Sequence, residues 1–171
     1  MTHYKTVTWE DPSPVRILGA TRSGLDLWRA IAAGDLAPPP IARLLGFDHI
    51  EEVEEGRIVF LMDPAEEHLN PLGTIHGGVL TTLLDSAMGC AVHTTLAAGA
   101  LYTTLELKVN FLRPAFPGGG TLRAEGRVVH GGSTVALAEA QITDAQTGKL
   151  VAHGTSTCLI RAQSANGVRA A

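Results

Sequence analysis

Cysteine is nearly absent from this chain. Cys90 and Cys158 are the only two, both lie in apolar segments, and no Cys-x-x-Cys spacing occurs. That favours buried, reduced core thiols over a disulfide framework or a zinc knuckle. None of the seven histidines forms a His-x-x-x-His pair, so no metal site is expected. Positive charge is scarce as well: 13 Lys and Arg against 17 Asp and Glu give a net charge of -4, with no basic run. Nucleic acid is therefore not expected as a partner. No uninterrupted apolar stretch approaches the roughly 20 residues needed to cross a bilayer. Met1 to Glu10 lack a basic end followed by an apolar run; no export signal is expected, and the protein reads as cytoplasmic. Ser86 and Ser133 lack a Gly-x-Ser-x-Gly setting, which speaks against a serine hydrolase.

What is present is enough for one well-filled core: 171 residues, 45% of them hydrophobic. Residues 1–22, with Pro12 and Pro14, read as an extended lead-in. Ser23 to Ala33 has helical spacing, with Ser23 as cap and Gly34 as stop. Pro38-Pro39-Pro40 breaks the chain before a helical turn, Ile41 to Leu45. Phe47 to Val53 and Arg57 to Met62 read as strands joined at Glu54-Glu55-Gly56, and the acidic run Glu51, Glu52, Glu54, Glu55 as a solvated hairpin end. Gly78 to Leu96 is the one long helix, apolar around most of its circumference. Four strands follow: Leu101 to Leu112, Thr121 to His130, Thr134 to Thr143 and Lys149 to Ile160. In the first of these Leu101, Thr103, Leu105, Leu107, Val109 and Phe111 form an apolar row opposite Tyr102, Thr104, Glu106 and Lys108. The expected class is α+β, a curved antiparallel sheet wrapped around one central helix. Residues 1–45 form an N-terminal arm and helical segment, 46–161 the main domain and 162–171 a disordered tail.

Asn70-Pro-Leu-Gly-Thr-Ile-His-Gly-Gly-Val-Leu-Thr-Thr-Leu-Leu-Asp85 carries the chemistry. It sets a Gly-Gly helix start beside a histidine, then places one carboxylate in an otherwise apolar helix. First-turn amides have no partner within their helix and carry partial positive charge, so they suit a developing oxyanion. A carboxylate in apolar surroundings must be paired, hydrogen-bonded or shifted in pKa. Asp85 could bond Thr81 or Thr82 one turn back, or act as base or nucleophile. Glu106 shares the face of Thr104 in this reading, although exposure suits it better than the cleft.

Asn70-x-x-Gly-x-x-His76-Gly-Gly with Asp85 nine residues after the histidine resembles the hotdog-fold thioesterases of the phenylacetic-acid-pathway (PaaI-like) type. Tyr102 to Ala115, ending in Arg113-Pro-Ala115, and Asp144 to Ala152 are similar to the same family. The resemblance spans about residues 45 to 160. It implies a hotdog fold with an extra N-terminal helical segment and hydrolysis of an acyl- or aryl-CoA thioester, with no metal or other cofactor. The Gly77 amide would polarise the thioester carbonyl and Asp85 would be nucleophile or general base. Asn70 would hold water or substrate, His76 would support the oxyanion loop, and Thr104 would stand where relatives often have Ser or Thr. Ser133 stands where many relatives carry Arg or Lys for the CoA phosphates.

The chemistry asks for an oxyanion donor and an activated attacker, both about 3 Å from the reacting atoms. Gly77 and Asp85 are eight residues apart on one helix, roughly 12 Å along its axis, so one copy cannot bring them together. Two copies with antiparallel central helices can, which predicts a homodimer with two shared sites; a dimer of dimers is the expected assembly, in an arrangement the sequence does not fix. Gly78, Leu84, Met88 and Phe111 are the expected substrate-binding residues. The alternative on the same fold is a non-catalytic binder or sensor of acyl thioesters or fatty acids.

Overall fold

The computed structural model describes residues 1–162; the tail expected to be disordered lies, from residue 163 on, outside the described residues. Three short helices come first, α1 (Ser13–Leu18), α2 (Gly24–Ala32) and α3 (Pro40–Leu45). α1 corrects the extended reading of residues 1–22. Pro14 sits in its first turn, where a missing amide proton costs nothing and the fixed φ favours a helix. α2 begins as its sequence predicts, with the Ser23 hydroxyl oxygen accepting from Asp26 N at 3.2 Å. Its buried face, Leu27, Trp28 and Ile31, packs onto the strand β1 (His49–Glu54) and the long helix α4 (Gly77–Thr94).

Six strands form one antiparallel sheet: β1 (His49–Glu54), β2 (Arg57–Met62), β3 (Ala100–Phe111), β4 (Leu122–Gly131), β5 (Val135–Asp144) and β6 (Leu150–Ala162). Their spatial order is β1-β2-β4-β5-β6-β3. The sheet wraps α4, whose Leu83, Leu84, Ala87, Met88, Ala91 and Val92 are fully buried. Trp28, Ile31, Ala42 and Phe47 belong to the same core. Small residues on the facing strands allow a close fit. Ala136, Ala138 and Ala140 line β5, and at Gly126 on β4 a Cβ would stand 2.1 Å from Ala87 O. Glycine there lets helix and sheet backbones touch.

Two departures concern faces. β3 pairs with β6 through a register shift between Thr104 and Glu106, so Leu105 is a bulge. Tyr102 and Thr104 therefore point toward α4 on one side of it, and Leu107 and Val109 on the other, while Leu101 and Leu105 lie exposed. The single apolar row expected along this strand is thus split, and Glu106 turns to the opposite face from Thr104. Its carboxylate accepts from Thr157 at 3.4 Å.

The second departure is the acidic run, which is more than a solvated hairpin end. On the outer face Glu125 is buried among Arg57, Arg123 and Arg127; Arg123 donates to it at 2.6 Å and Arg57 at 3.2 Å. Glu51 bonds Arg123 at 2.6 Å, and Glu52 pairs with Arg57. Burial alone would raise the Glu125 carboxyl, but the three guanidiniums outweigh it and hold it at about 2.

Candidate active site

The loop before α4 is built by Asn70. Its Oδ1 accepts from Leu72 N at 2.9 Å and Thr74 N at 3.2 Å, its Nδ2 donates to Thr74 Oγ1 at 2.8 Å, and its own amide donates to Thr74 O at 2.8 Å. Gly73 supplies the left-handed residue (φ 77°) that closes this turn. Two further backbone bonds anchor the loop: Ile75 N to Ala115 O at 2.9 Å and His76 N to His68 O at 2.8 Å. Asn70 is thus the organiser of the loop, a local geometry that an Asn followed four residues later by Thr makes possible.

His76 is the N-cap of α4, with Nδ1 accepting from Gly78 N at 2.8 Å. Its carbonyl takes Val79 N at 3.0 Å and Leu80 N at 3.4 Å. Of the first four amides of the helix, only that of Gly77 has no acceptor among the described residues. A donor so placed carries the partial positive charge of the helix start.

Gly77 lines a cavity of about 340 Å3 together with Asn70, Thr74, Leu80, Phe111 and Arg113. The Phe111 ring lies directly over Gly77, its Cζ 3.0 Å from where a Cβ would stand. Thr74 and Arg113 had no expected role in the cavity from the residues alone. The Arg113 guanidinium bonds Leu150 O at 2.6 Å, which fixes the segment after β3 against the start of β6.

Asp85 does not line that cavity. It lies two turns further along α4, half-buried, and accepts from Thr104 Oγ1 at 2.9 Å. The bulge at Leu105 keeps Thr104 on the face that meets the helix. Thr81 or Thr82 is not the partner: Thr82 Oγ1 donates to Gly78 O at 2.9 Å, one turn back along the backbone. Within this one chain Asn70, His76, Gly77 and Phe111 come together, and Asp85 and Thr104 come together, as two separate groups.

The remaining expected residues lie elsewhere. Gly78 is exposed, with its amide taken by His76. Leu84 and Met88 are fully buried against β6, where a Cβ on Gly154 would stand 3.5 Å from Leu84 Cδ1 and 3.4 Å from Met88 Cε. Burial pushes the Cys90 and Cys158 thiols up, so both stay protonated.

The Thioesterase superfamily profile matches residues 72–151. Acyl-coenzyme A thioesterase 13 of Homo sapiens is 31% identical over 115 residues, covering 67% of this chain and 81% of that protein. Acyl-coenzyme A thioesterase PaaI of Escherichia coli K12 is 36% identical over 106 residues, covering 61% and 71%. The solved E. coli PaaI structure superposes with a TM-score of 0.71 at 27% identity, covering 84% of this chain and 98% of that one. The structure of smu.793 from Streptococcus mutans UA159 bound to acetyl CoA superposes at 0.61 with 29% identity, covering 67% and 88%. With its six-stranded sheet around one long helix, the chain belongs to the hotdog thioesterase superfamily, in its PaaI-like branch, and is a thioester hydrolase.

Proposed function

We propose that this protein hydrolyses acyl- or aryl-CoA thioesters to free acid and CoA at a site shared by two copies. The observation that carries the reading is the Gly77 amide at the helix start, without an acceptor among the described residues and open to a cavity. It would donate to the thioester carbonyl oxygen and hold the negative charge as the tetrahedral intermediate forms. Phe111 would wall the acyl side, and Asn70 would keep the loop and the attacking water in place.

Asp85 of the partner subunit is the nucleophile or general base in this scheme. As a base it takes one proton from water, whose oxygen bonds to the carbonyl carbon. The intermediate then collapses, the C–S bond breaks and CoA leaves as thiolate. That leaving group is stable enough to need no strong acid. As a nucleophile, the carboxylate oxygen bonds to the carbonyl carbon, the C–S bond breaks with loss of CoA thiolate, and water then hydrolyses the mixed anhydride. Thr104 holds the carboxylate through its hydroxyl in either case.

Two features support the second copy. Gly77 and Asp85 lie eight residues apart on one unbroken helix, roughly 12 Å along its axis, which an Asp side chain does not span. β3 is an edge strand, whose outer backbone N–H and C=O groups a second β3 would pair. A dimer of such dimers, working in the cytoplasm with its thiols reduced, completes the reading.

Thiol release from a panel of short, long and aromatic acyl-CoAs tests it. Wild type should turn over at least one class, and Asp85→Asn should lose at least about a hundredfold in kcat. Binding without turnover by wild type, or undiminished turnover by Asp85→Asn, would contradict the mechanism. In a single turnover in 18O water, label appearing in Asp85 would establish direct attack.

A further inference from the structure

The N-terminal helices, which lie outside the matched family region, build a second cavity. α1 and α2 meet the Pro38-Pro39-Pro40 run over the last turn of α4 and enclose about 220 Å3. Val15, Leu27, Trp28, Ile31 and the three prolines make its walls apolar. The volume lies below the roughly 300–1,000 Å3 of sites for drug-sized molecules, so an occupant must be small.

Polar groups in the lining are few and of one kind. Among the described residues Arg16, itself exposed, is the single charged side chain there, and no carboxylate lines the cavity. Arg16 forms no ion pair with a described carboxylate. Asp11, which feels its charge, turns Oδ1 to the Ser13 amide at 2.9 Å, and Glu10 lies 3.9 Å from Arg43 instead. His93 is the other polar side chain. Its Nδ1 accepts from Trp28 Nε1 at 3.1 Å, which places the ring proton on Nε2, a donor with no acceptor among the described residues. The cavity therefore offers apolar walls and, at exposed Arg16, a guanidinium with no ion-pair partner among the described carboxylates.

The site is joined to the catalytic helix. Gly24 N donates to Leu96 O at 3.0 Å, and a Cβ at Gly24 would stand 1.8 Å from His93 O. α2 is thus pressed onto the end of the helix that carries Gly77 and Asp85.

We propose that this cavity is a second ligand site, for a small carboxylic acid with an apolar body. The carboxylate bonds the Arg16 guanidinium, and the alkyl or aryl part packs on Trp28 and Ile31. A neutral hydrocarbon leaves the guanidinium unused, and a phosphate ester is too strongly hydrated for these walls. The acid released by thioester hydrolysis has this chemistry. Only that identification of its source rests on the proposed function; the site itself does not.

The test uses the full chain labelled with 15N and reads the indole N–H peak of Trp28, with exposed Trp9 as control. Hexanoate and phenylacetate should move the Trp28 peak saturably and leave Trp9 in place. Hexanol and 2-phenylethanol, and either acid on Arg16→Gln, should bind at least about tenfold more weakly, the share expected of a charge-assisted hydrogen bond. No saturable movement with either acid, equal binding of the alcohols, or undiminished binding by Arg16→Gln overturns the proposal. A second arm separates the sources: acyl-CoA alone should move the Trp28 peak in wild type as product accumulates, and not in Asp85→Asn. If the acids bind but acyl-CoA moves nothing, no acid is being released, which counts against the proposed hydrolysis and leaves the site standing.

Discussion

Thr104→Val removes one hydrogen-bond donor and little else. The hydroxyl of Thr104 donates to Asp85 Oδ1 at 2.9 Å, and it is the only side-chain donor to that carboxylate among the described residues. Valine keeps the branched β-carbon that suits a strand, so the pairing of β3 with β6 should persist. A hydrogen bond to a charged group is worth about 1.5–3 kcal/mol. Both residues are half-buried and water can replace part of the bond, which favours the lower half of that range. If the bond orients Asp85 during attack, its loss should lower kcat by roughly ten- to fortyfold. KM should change little, because the Thr104 hydroxyl is committed to Asp85 rather than to substrate. Thr104→Ser should recover most of the rate. CoA release can be followed with a chromogenic disulfide; Cys90 and Cys158 are buried with their thiols pushed up, so the protein adds little background. A Thr104→Val enzyme that keeps more than about half the wild-type kcat would refute the assigned role. So would a Ser variant as slow as Val at an unchanged melting temperature.

Two further outcomes concern the scaffold. Gly126→Ala should destabilise by at least about 2 kcal/mol, lowering the melting temperature by roughly 4–8 °C, because its Cβ would stand 2.1 Å from Ala87 O where neither backbone can yield; an unchanged melting temperature would contradict the close contact. Glu125 is held at about 2, below its ordinary 4.5. Its carboxylate binds fewer protons in the folded state than in the unfolded one, so the stabilisation is fully present above pH 4.5 and disappears as the pH falls through about 2. Urea titrations of wild type and Glu125→Gln should therefore differ by on the order of 2–3 kcal/mol at pH 7 and converge toward pH 2. A constant difference across that window would show that the arginine cluster does not set the Glu125 charge.

The central helix, the six strands and the loop from Asn70 to Gly78 are legible in the sequence because each rests on local pattern. An apolar helix of this length, period-two strands and glycine turns declare themselves within a dozen residues. The faces of β3 are not legible that way. The pairing of Thr104 with Cys158 and Glu106 with Thr157 forces Leu105 out as a bulge, and an alternation rule cannot see a partner fifty residues away. For the same reason the partner of Asp85 looks local from sequence, at Thr81 or Thr82, but comes from nineteen residues downstream. The outer-face cluster hides likewise: Glu51 and Glu52 read as solvated until β4 brings Arg123 beside them. In the lead-in two prolines suggest extended chain, yet the second sits in a helical first turn, where proline is tolerated.

Mixing two defective chains is the most direct test of a site divided between copies. Asp85→Asn keeps the loop and its Gly77 amide; Asn70→Ala keeps Asp85 but loses three side-chain hydrogen bonds that shape the loop. Each homodimer should be nearly inactive. After exchange at equal concentrations, half of the dimers are hybrids with one intact site of two, so activity should return to about a quarter of wild type. Hybrids demonstrated by mass that show no more activity than the separate variants would contradict the shared site.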